Sequence, residues 1–197
     1  MPVTSPSTKR ENGASEGSCR KSGLNKPHAI IVMGVSGCGK SSVGERLAAT
    51  LHLAFIEGDA LHPAANVEKM SKGIPLTDED RMPWLDRIGE DIKALLAKGD
   101  GIIVSCSALK RIYRDRLRAA AGGNLFFVYL EGSKALLTKR MGERKGHFMP
   151  VSLLESQLAT LEVPTGEAGV VTVDIDDTID GIAATALRGL ALLGVTG

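Results

Sequence analysis

The sequence predicts a three-layer α/β domain: a five-stranded parallel sheet with helices on both faces. Short apolar runs alternate with stretches of helical periodicity along most of the chain, which is the signature of repeated strand–helix units. The runs are continuously apolar, as strands covered on both faces are. The first candidate strand, Ala29-Ile30-Ile31-Val32-Met33, ends at a glycine, and helical patterning follows from Lys40 to Leu51. Leu53-Ala54-Phe55-Ile56 is the second strand, closed by Glu57-Gly58-Asp59. Residues 62–98 are expected to be mostly helical, with breaks near Gly73-Ile74-Pro75 and Met82-Pro83. Ile102-Ile103-Val104 is the third strand, and a charged helix over 109–120 follows it. Leu125-Phe126-Phe127-Val128-Tyr129-Leu130 is the fourth, leading into a helix through about Met141. A glycine- and charge-containing loop then spans 142–150 and a helix covers 151–161. Val170-Val171-Thr172-Val173-Asp174 is the fifth strand, and a closing helix occupies 178–192.

A chain of 197 residues accommodates one domain with a sizeable core, here expected over 28–197. The residues are 43% hydrophobic but only 4% aromatic, so that core must rest on Ala, Ile, Leu and Val. Net charge is +1 with basic and acidic residues interleaved, which argues against a nucleic-acid partner. No apolar run reaches the roughly 18 residues of a membrane span. Three scattered cysteines, Cys19, Cys38 and Cys106, suggest neither a disulfide framework nor a metal cluster, and a reducing, cytoplasmic setting is expected. Residues 1–27, rich in Ser, Gly, Asn and charge, are expected to be a disordered extension without a signal-peptide core.

The strongest chemical signal is Gly34-Val35-Ser36-Gly37-Cys38-Gly39-Lys40-Ser41, followed by Ser42. It satisfies G-x-x-x-x-G-K-[ST] and lies between a strand and a helix, where a phosphate-binding loop must lie. Glycines let the backbone turn tightly around phosphate oxygens, and successive amide N–H groups with the helix N-terminus face the anion. Lys40 is expected to reach the β- and γ-phosphates of ATP, and Ser41 to place its hydroxyl on Mg²⁺. Cys38 sits among backbone groups that do the binding and is expected to play no catalytic part. The domain is therefore expected to have the P-loop NTPase fold. No guanine-reading Asn-Lys-x-Asp stretch occurs, and the third strand ends in Ser-Cys-Ser rather than an acid. Both facts favour a small-molecule kinase over a GTPase or an ATPase motor.

Candidate acceptor-side residues follow the strand ends, where ligands of such sheets bind. Asp59 is placed to align an alcohol against the γ-phosphorus, to act as base, or to meet Mg²⁺ through water. His62 and Asn66, four apart, share a helical face. Arg81 suits a carboxylate by a two-pronged contact, and Lys110 and Arg114 are spaced to face an anion together. Arg140-Met141-Gly142-Glu143-Arg144-Lys145-Gly146-His147 has the composition of a small mobile, positive lid at about 142–150.

Taken together, these stretches resemble the gluconokinase family, within the shikimate-kinase and adenylate-kinase-like fold. The resemblance covers roughly 29–190. Beyond the phosphate loop it rests on Glu57-Gly58-Asp59 with His62-Pro63, Asn66 to Met70, Gly73-Ile74-Pro75-Leu76, and Asp78 with Asp80-Arg81-Met82-Pro83-Trp84. It continues through Cys106-Ser107-Ala108-Leu109-Lys110, Tyr113-Arg114-Asp115, Arg144-Lys145-Gly146-His147-Phe148-Met149, Glu155-Ser156-Gln157, Thr160-Leu161-Glu162 and Pro164. Two positions depart from the commoner pattern: Cys38 replaces a small hydroxyl or apolar residue, and Glu57 stands where Asp is common. The resemblance implies transfer from ATP, with Mg²⁺, to D-gluconate, and often a homodimer. It implies that Asp59 orients the 6-hydroxyl and that His62, Arg81 and Arg114 bind gluconate, with Arg81 or Arg114 taking its carboxylate. It also assigns Arg144, Lys145 and His147 to the lid, with Arg144 acting in catalysis, and places Gln157 in the gluconate pocket. A shikimate-type or nucleoside monophosphate kinase, or a non-catalytic nucleotide-binding protein, are the competing expectations.

Overall fold

The computed structural model describes residues 26–143 and 152–195. The expectations placed on the tail before Lys26, and on most of the lid, including Arg144, Lys145 and His147, lie outside the described residues.

The chain runs β1 (Ala29–Met33), α1 (Lys40–Leu51), β2 (Ala54–Glu57), a 3₁₀ turn (Gly58–Leu61), α2 (Ala64–Ser71), α3 (Asp78–Ala97), β3 (Ile102–Ser105) and α4 (Arg111–Ala120). It continues β4 (Leu125–Glu131), α5 (Lys134–Glu143), α6 (Ser152–Thr160), β5 (Val170–Asp174) and α7 (Ile179–Leu192). The strands form one sheet in the order β2-β3-β1-β4-β5, and every pairing is parallel. β1 is central, in register from Ala29 opposite Ile102 on one side and Leu125 on the other.

Strand periodicity divides the core in two. Ile30 and Val32 point to one face with Val43, Leu47, Ile182, Ala186 and Leu190, beneath α1 and α7. Ala29, Ile31 and Met33 point to the other, with Trp84, Leu85, Ile88, Ile92, Tyr113 and Leu117 of α3 and α4. All five β1 residues are 0% exposed, the condition that demands an unbroken apolar run. A third, small cluster of Met70, Leu76 and Leu153 ties α2 and the link after it to α6.

Helix ends explain several boundaries. Thr77 caps α3 in a reciprocal box: its hydroxyl accepts from the Asp80 N–H at 3.3 Å, and the Asp80 carboxylate accepts from the Thr77 N–H at 3.0 Å. The expected break at Met82-Pro83 does not occur, because α3 is continuous with Pro83 inside it. Pro83 lies early in the helix, and the carbonyl deprived of a partner belongs to Glu79, an exposed first-turn residue that water can serve. The expected loop at 142 also begins later, since α5 extends through Glu143.

A buried ion network fastens the segment after α6 to α4. Arg114 is 0% exposed. Its guanidinium pairs with Glu167 and donates to the carbonyls of Ala108 and Leu109, both at 3.0 Å. Arg118 adds a second contact to Glu167 at 2.9 Å. The neighbouring guanidiniums, Arg114 first, hold the Glu167 carboxyl down to about 2. This pairing contributes stability in full above the ordinary carboxylate range near pH 4.5 and loses it as pH falls towards 2. Glu167→Gln should destabilise the fold by about 3 kcal/mol at neutral pH, measured by urea unfolding. The difference between variant and wild type should shrink as the pH is lowered below about 4.5.

Candidate active site

The phosphate loop leaves the carboxyl end of β1. Gly34, Gly37 and Gly39 have φ of 140, 84 and 93°, values that only glycine adopts without strain. The first turn of the loop is tied to the connection after β3, with the Gly34 N–H donating to the Ser107 carbonyl at 3.3 Å. Val35 and Cys38 turn their side chains into the core. Gly39 stands at the N-cap of α1, which has no side-chain cap and no acid in its first turn. By contrast α3 opens with three acids and its capping box. Uncapped N–H groups carrying the positive end of the helix dipole are what an anion needs. Lys40 donates to the Val35 carbonyl at 3.2 Å, folded over its own loop. Ser41 and Ser42 occupy the first turn of α1.

Beside the loop lies a pocket lined by Ser36, Lys40, Asp59, His62, Met70, Leu76, Arg81, Trp84, Ser107 and Gln157. Several helices and the connections between them contribute to it, and hydrogen bonds hold them together. Gln157 of α6 accepts from the Ser36 N–H at 2.7 Å, joining the far helix to the phosphate loop. Asn66 of α2 donates to the Asp80 carbonyl at 2.8 Å and approaches His62 Nδ1 at 3.4 Å. The expected shared helical face does not form, because His62 is extended and precedes α2, but the two side chains still meet.

Asp59 is half-buried in the 3₁₀ turn that follows β2. The turn is clamped on both sides. Ser105 accepts from the Gly58 N–H at 3.1 Å and donates to Glu57. The indole N–H of Trp84 donates to the Gly58 carbonyl at 2.7 Å. Glu57 is therefore engaged by Ser105, which gives it a structural task. Arg81 is buried and its guanidinium donates to the Tyr113 hydroxyl at 3.4 Å. The ring of His62 stacks on Trp84, with centroids 4.0 Å apart and 17° between planes. Burial pushes the His62 imidazole down to about 4; Asp59 opposes the shift and Arg81 adds to it.

Two expected substrate residues do not reach this pocket. Arg114 spends its donors on Glu167 and two carbonyls. Lys110 is bonded to both oxygens of Asp78 at 2.7 and 2.8 Å. The four-residue spacing was real, but α4 turns Arg114 inward, while Lys110 precedes the helix and pairs with α3. Ser107 and Trp84 also line the pocket. The sequence marks the former by its place after the third strand and within Cys106-Ser107-Ala108-Leu109-Lys110. A second hollow, of about 290 Å³, opens on the other side of the loop and is lined by Gly37, Gly39, Arg140, Glu143 and Ile179. Arg140 is steadied there by a 2.8 Å bond to the Ile175 carbonyl, and Ile179 lies where no sequence motif marks it. Cys106 is fully buried, which pushes its thiol up to about 12 and keeps it protonated.

Phosphate loop, uncapped helix and flanking acceptor pocket define a P-loop phosphotransferase, and residues 30–164 match the family model described as an AAA domain. The chain is 48% identical to the gluconokinase of Gluconobacter oxydans (strain 621H) over 165 residues, covering 83% of this chain and 91% of that one. It is 46% identical to the thermosensitive gluconokinase of Escherichia coli (strain K12) over 155 residues, covering 78% and 82%. The crystal structure of a gluconokinase from Sinorhizobium meliloti 1021 superposes with a TM-score of 0.78 at 57% identity, covering 86% and 94%. The chain belongs to the gluconokinase family and is a kinase. The APS kinase CysC of Mycobacterium tuberculosis, 21% identical with a TM-score of 0.62 over 84% of this chain and 98% of that one, shares the fold.

The clamp on Asp59 depends on the close approach of Gly58 to β3. A Cβ on Gly58 would lie 2.0 Å from the Ser105 carbonyl oxygen. Gly58→Ala should therefore lower stability by at least about 2 kcal/mol in a denaturant titration, because backbone must move to admit the methyl group.

Proposed function

We propose that the protein transfers the γ-phosphoryl group of ATP to the 6-hydroxyl of D-gluconate, giving ADP and 6-phospho-D-gluconate. One observation carries the reading: a single pocket brings Ser36 and Lys40 of the phosphate loop beside Asp59, His62 and Arg81. The amides of Gly37, Gly39, Lys40 and Ser41, at the turn of the loop and the start of α1, hold the triphosphate, while those of Gly34 and Ser36 fix the loop to Ser107 and Gln157. Lys40 leaves the Val35 carbonyl and places its charge on the transferring group. The 290 Å³ hollow at Gly37, Gly39, Arg140 and Ile179 has room for the nucleoside.

Asp59 accepts the hydrogen bond of the acceptor hydroxyl and aligns its oxygen for in-line attack. Arg81 receives the substrate carboxylate, in preference to Arg114. His62, which keeps its neutral form at physiological pH, donates its Nε2–H to the polyol, as does the Gln157 amide N–H. Mg²⁺ fits the donor set: the Ser41 hydroxyl is a hard oxygen ligand, and this ion completes its shell with water and phosphate oxygens. When bound it neutralises charge on the phosphates. The same reading assigns Arg144 and His147 to closing charge over the phosphoryl group. It includes a homodimer and a cytoplasmic setting. Among the described residues no helix is long and apolar enough to cross a membrane.

ADP release by the purified protein with Mg-ATP should be stimulated strongly by D-gluconate and not by shikimate or AMP. Stimulation by one of the latter instead would overturn the acceptor assignment. Asp59→Asn should lower kcat by at least about 100-fold while leaving the dissociation constant for ATP nearly unchanged. Undiminished turnover at saturating substrates would remove Asp59 from the mechanism.

A further inference from the structure

We propose that Trp84 is a positioning residue for phosphoryl transfer, holding the Gly58–Asp59 turn through its indole N–H and the ring of His62 through its face. The inference rests on the reaction proposed above. Trp84 is 1% exposed, yet it lines the acceptor pocket, where it contacts His62 and the peptide that precedes Asp59. The indole N–H can donate one hydrogen bond and accept none, and it uses it on the Gly58 carbonyl at 2.7 Å. That carbonyl belongs to the peptide whose nitrogen is Asp59. On the opposite side the Gly58 N–H is held by Ser105 at 3.1 Å. The turn is thus fixed from α3 and from β3, leaving Asp59 little freedom to drift.

The same indole stacks on His62 at 4.0 Å. The groups facing His62 are Asp59 from the 3₁₀ turn, Arg81 from α3, Lys40 from α1 and the amides of Asn66 and Gln157. Two cations and one carboxylate leave little net field to favour a charged imidazole, and the aromatic lid removes water from one ring face. Burial dominates, and the imidazole stays neutral down to about pH 4. A neutral ring accepts from the Asn66 amide at Nδ1 and keeps its Nε2–H for a sugar alcohol, whereas a protonated ring would set an N–H at Nδ1 against the Asn66 N–H. Trp84 thereby sets both the alignment of the carboxylate and the hydrogen-bonding character of the histidine.

Trp84→Phe keeps an aromatic face and deletes the N–H, whereas Trp84→Leu deletes both. Trp84→Phe should lower kcat at least about 10-fold with gluconate KM changed less than about 3-fold. Trp84→Leu should in addition raise KM and create a loss of kcat/KM below about pH 6.5, where an unburied histidine protonates. Adding His62→Gln to Trp84→Leu should abolish that new inflection. Rates unchanged, or reduced only with the folded fraction seen by circular dichroism and with no pH shift, would overturn the proposal. Trp84 is the sole tryptophan, so its fluorescence reads the stack without any turnover. It should stay constant between about pH 8 and 5.5, since a protonated imidazole quenches indole and His62 remains neutral there. Quenching centred near the ordinary histidine value of about 6.5, lost in His62→Gln, would overturn it too. If wild type shows no gluconate-stimulated ADP release, the reaction assignment fails, and the fluorescence titration still decides the Trp84–His62 pairing.

Discussion

Strand β1 is hydrogen-bonded along both edges and buried on both faces. That confinement leaves the chain one route out, past the carboxyl end of the strand, between β3 and β4. The connection to α1 must turn there within a few residues, and it does so on glycines with positive φ. Its Gly34 and Ser36 N–H groups tie the loop to Ser107 and Gln157, and those of Gly37, Gly39, Lys40 and Ser41 converge on the space where an anion is to sit. The position of the pocket follows, because β2 and β3 are parallel to β1 and deliver Asp59 and Ser107 to the same edge of the sheet.

What surrounds that edge is a set of hydrogen-bonded clamps rather than a rigid shell. Ser105 and Trp84 grip the Gly58 peptide from opposite sides. Gln157 reaches the Ser36 N–H from α6, and the small Met70, Leu76 and Leu153 cluster holds α6 against α2. Further along, the segment after α6 is anchored by the Glu162 N–H to the Leu109 carbonyl at 2.9 Å and by Glu167 to Arg114. The acceptor pocket is therefore assembled from chain segments distant in sequence, and the buried ion network contributes to it by fixing where one of those segments runs. The net charge in the pocket is balanced the same way: Lys40 and Arg81 supply cations for anionic groups, Asp59 supplies the acceptor, and His62 stays neutral beside them.

The chain order of apolar runs was enough to locate all five strands; for β1, β3 and β4, buried almost throughout, a strand covered on both faces has few alternatives to Ile, Val, Leu and Phe. The phosphate loop was legible for a related reason: its chemistry is carried by backbone, and only glycine permits that backbone. Pro83 misled because its cost depends on whether the orphaned carbonyl is solvated, which is a property of the folded surface. Arg114 misled because spacing along a helix gives the angle between two side chains but not which of them faces the sheet. Once α4 packed on the sheet, Arg114 was drawn inward to Glu167, a residue 53 positions away, while Lys110 found Asp78.

By itself, then, the sequence determined the fold class, the phosphate loop with Lys40 and Ser41, and the presence of an acid at the end of β2. These are local properties, set by periodicity, backbone permissiveness and position after a strand. The tertiary structure alone decided which cations are committed to internal carboxylates and which line the pocket, and that Trp84 joins Asp59 to His62. Those outcomes depend on contacts between residues far apart in the chain, and on burial, which no local pattern encodes.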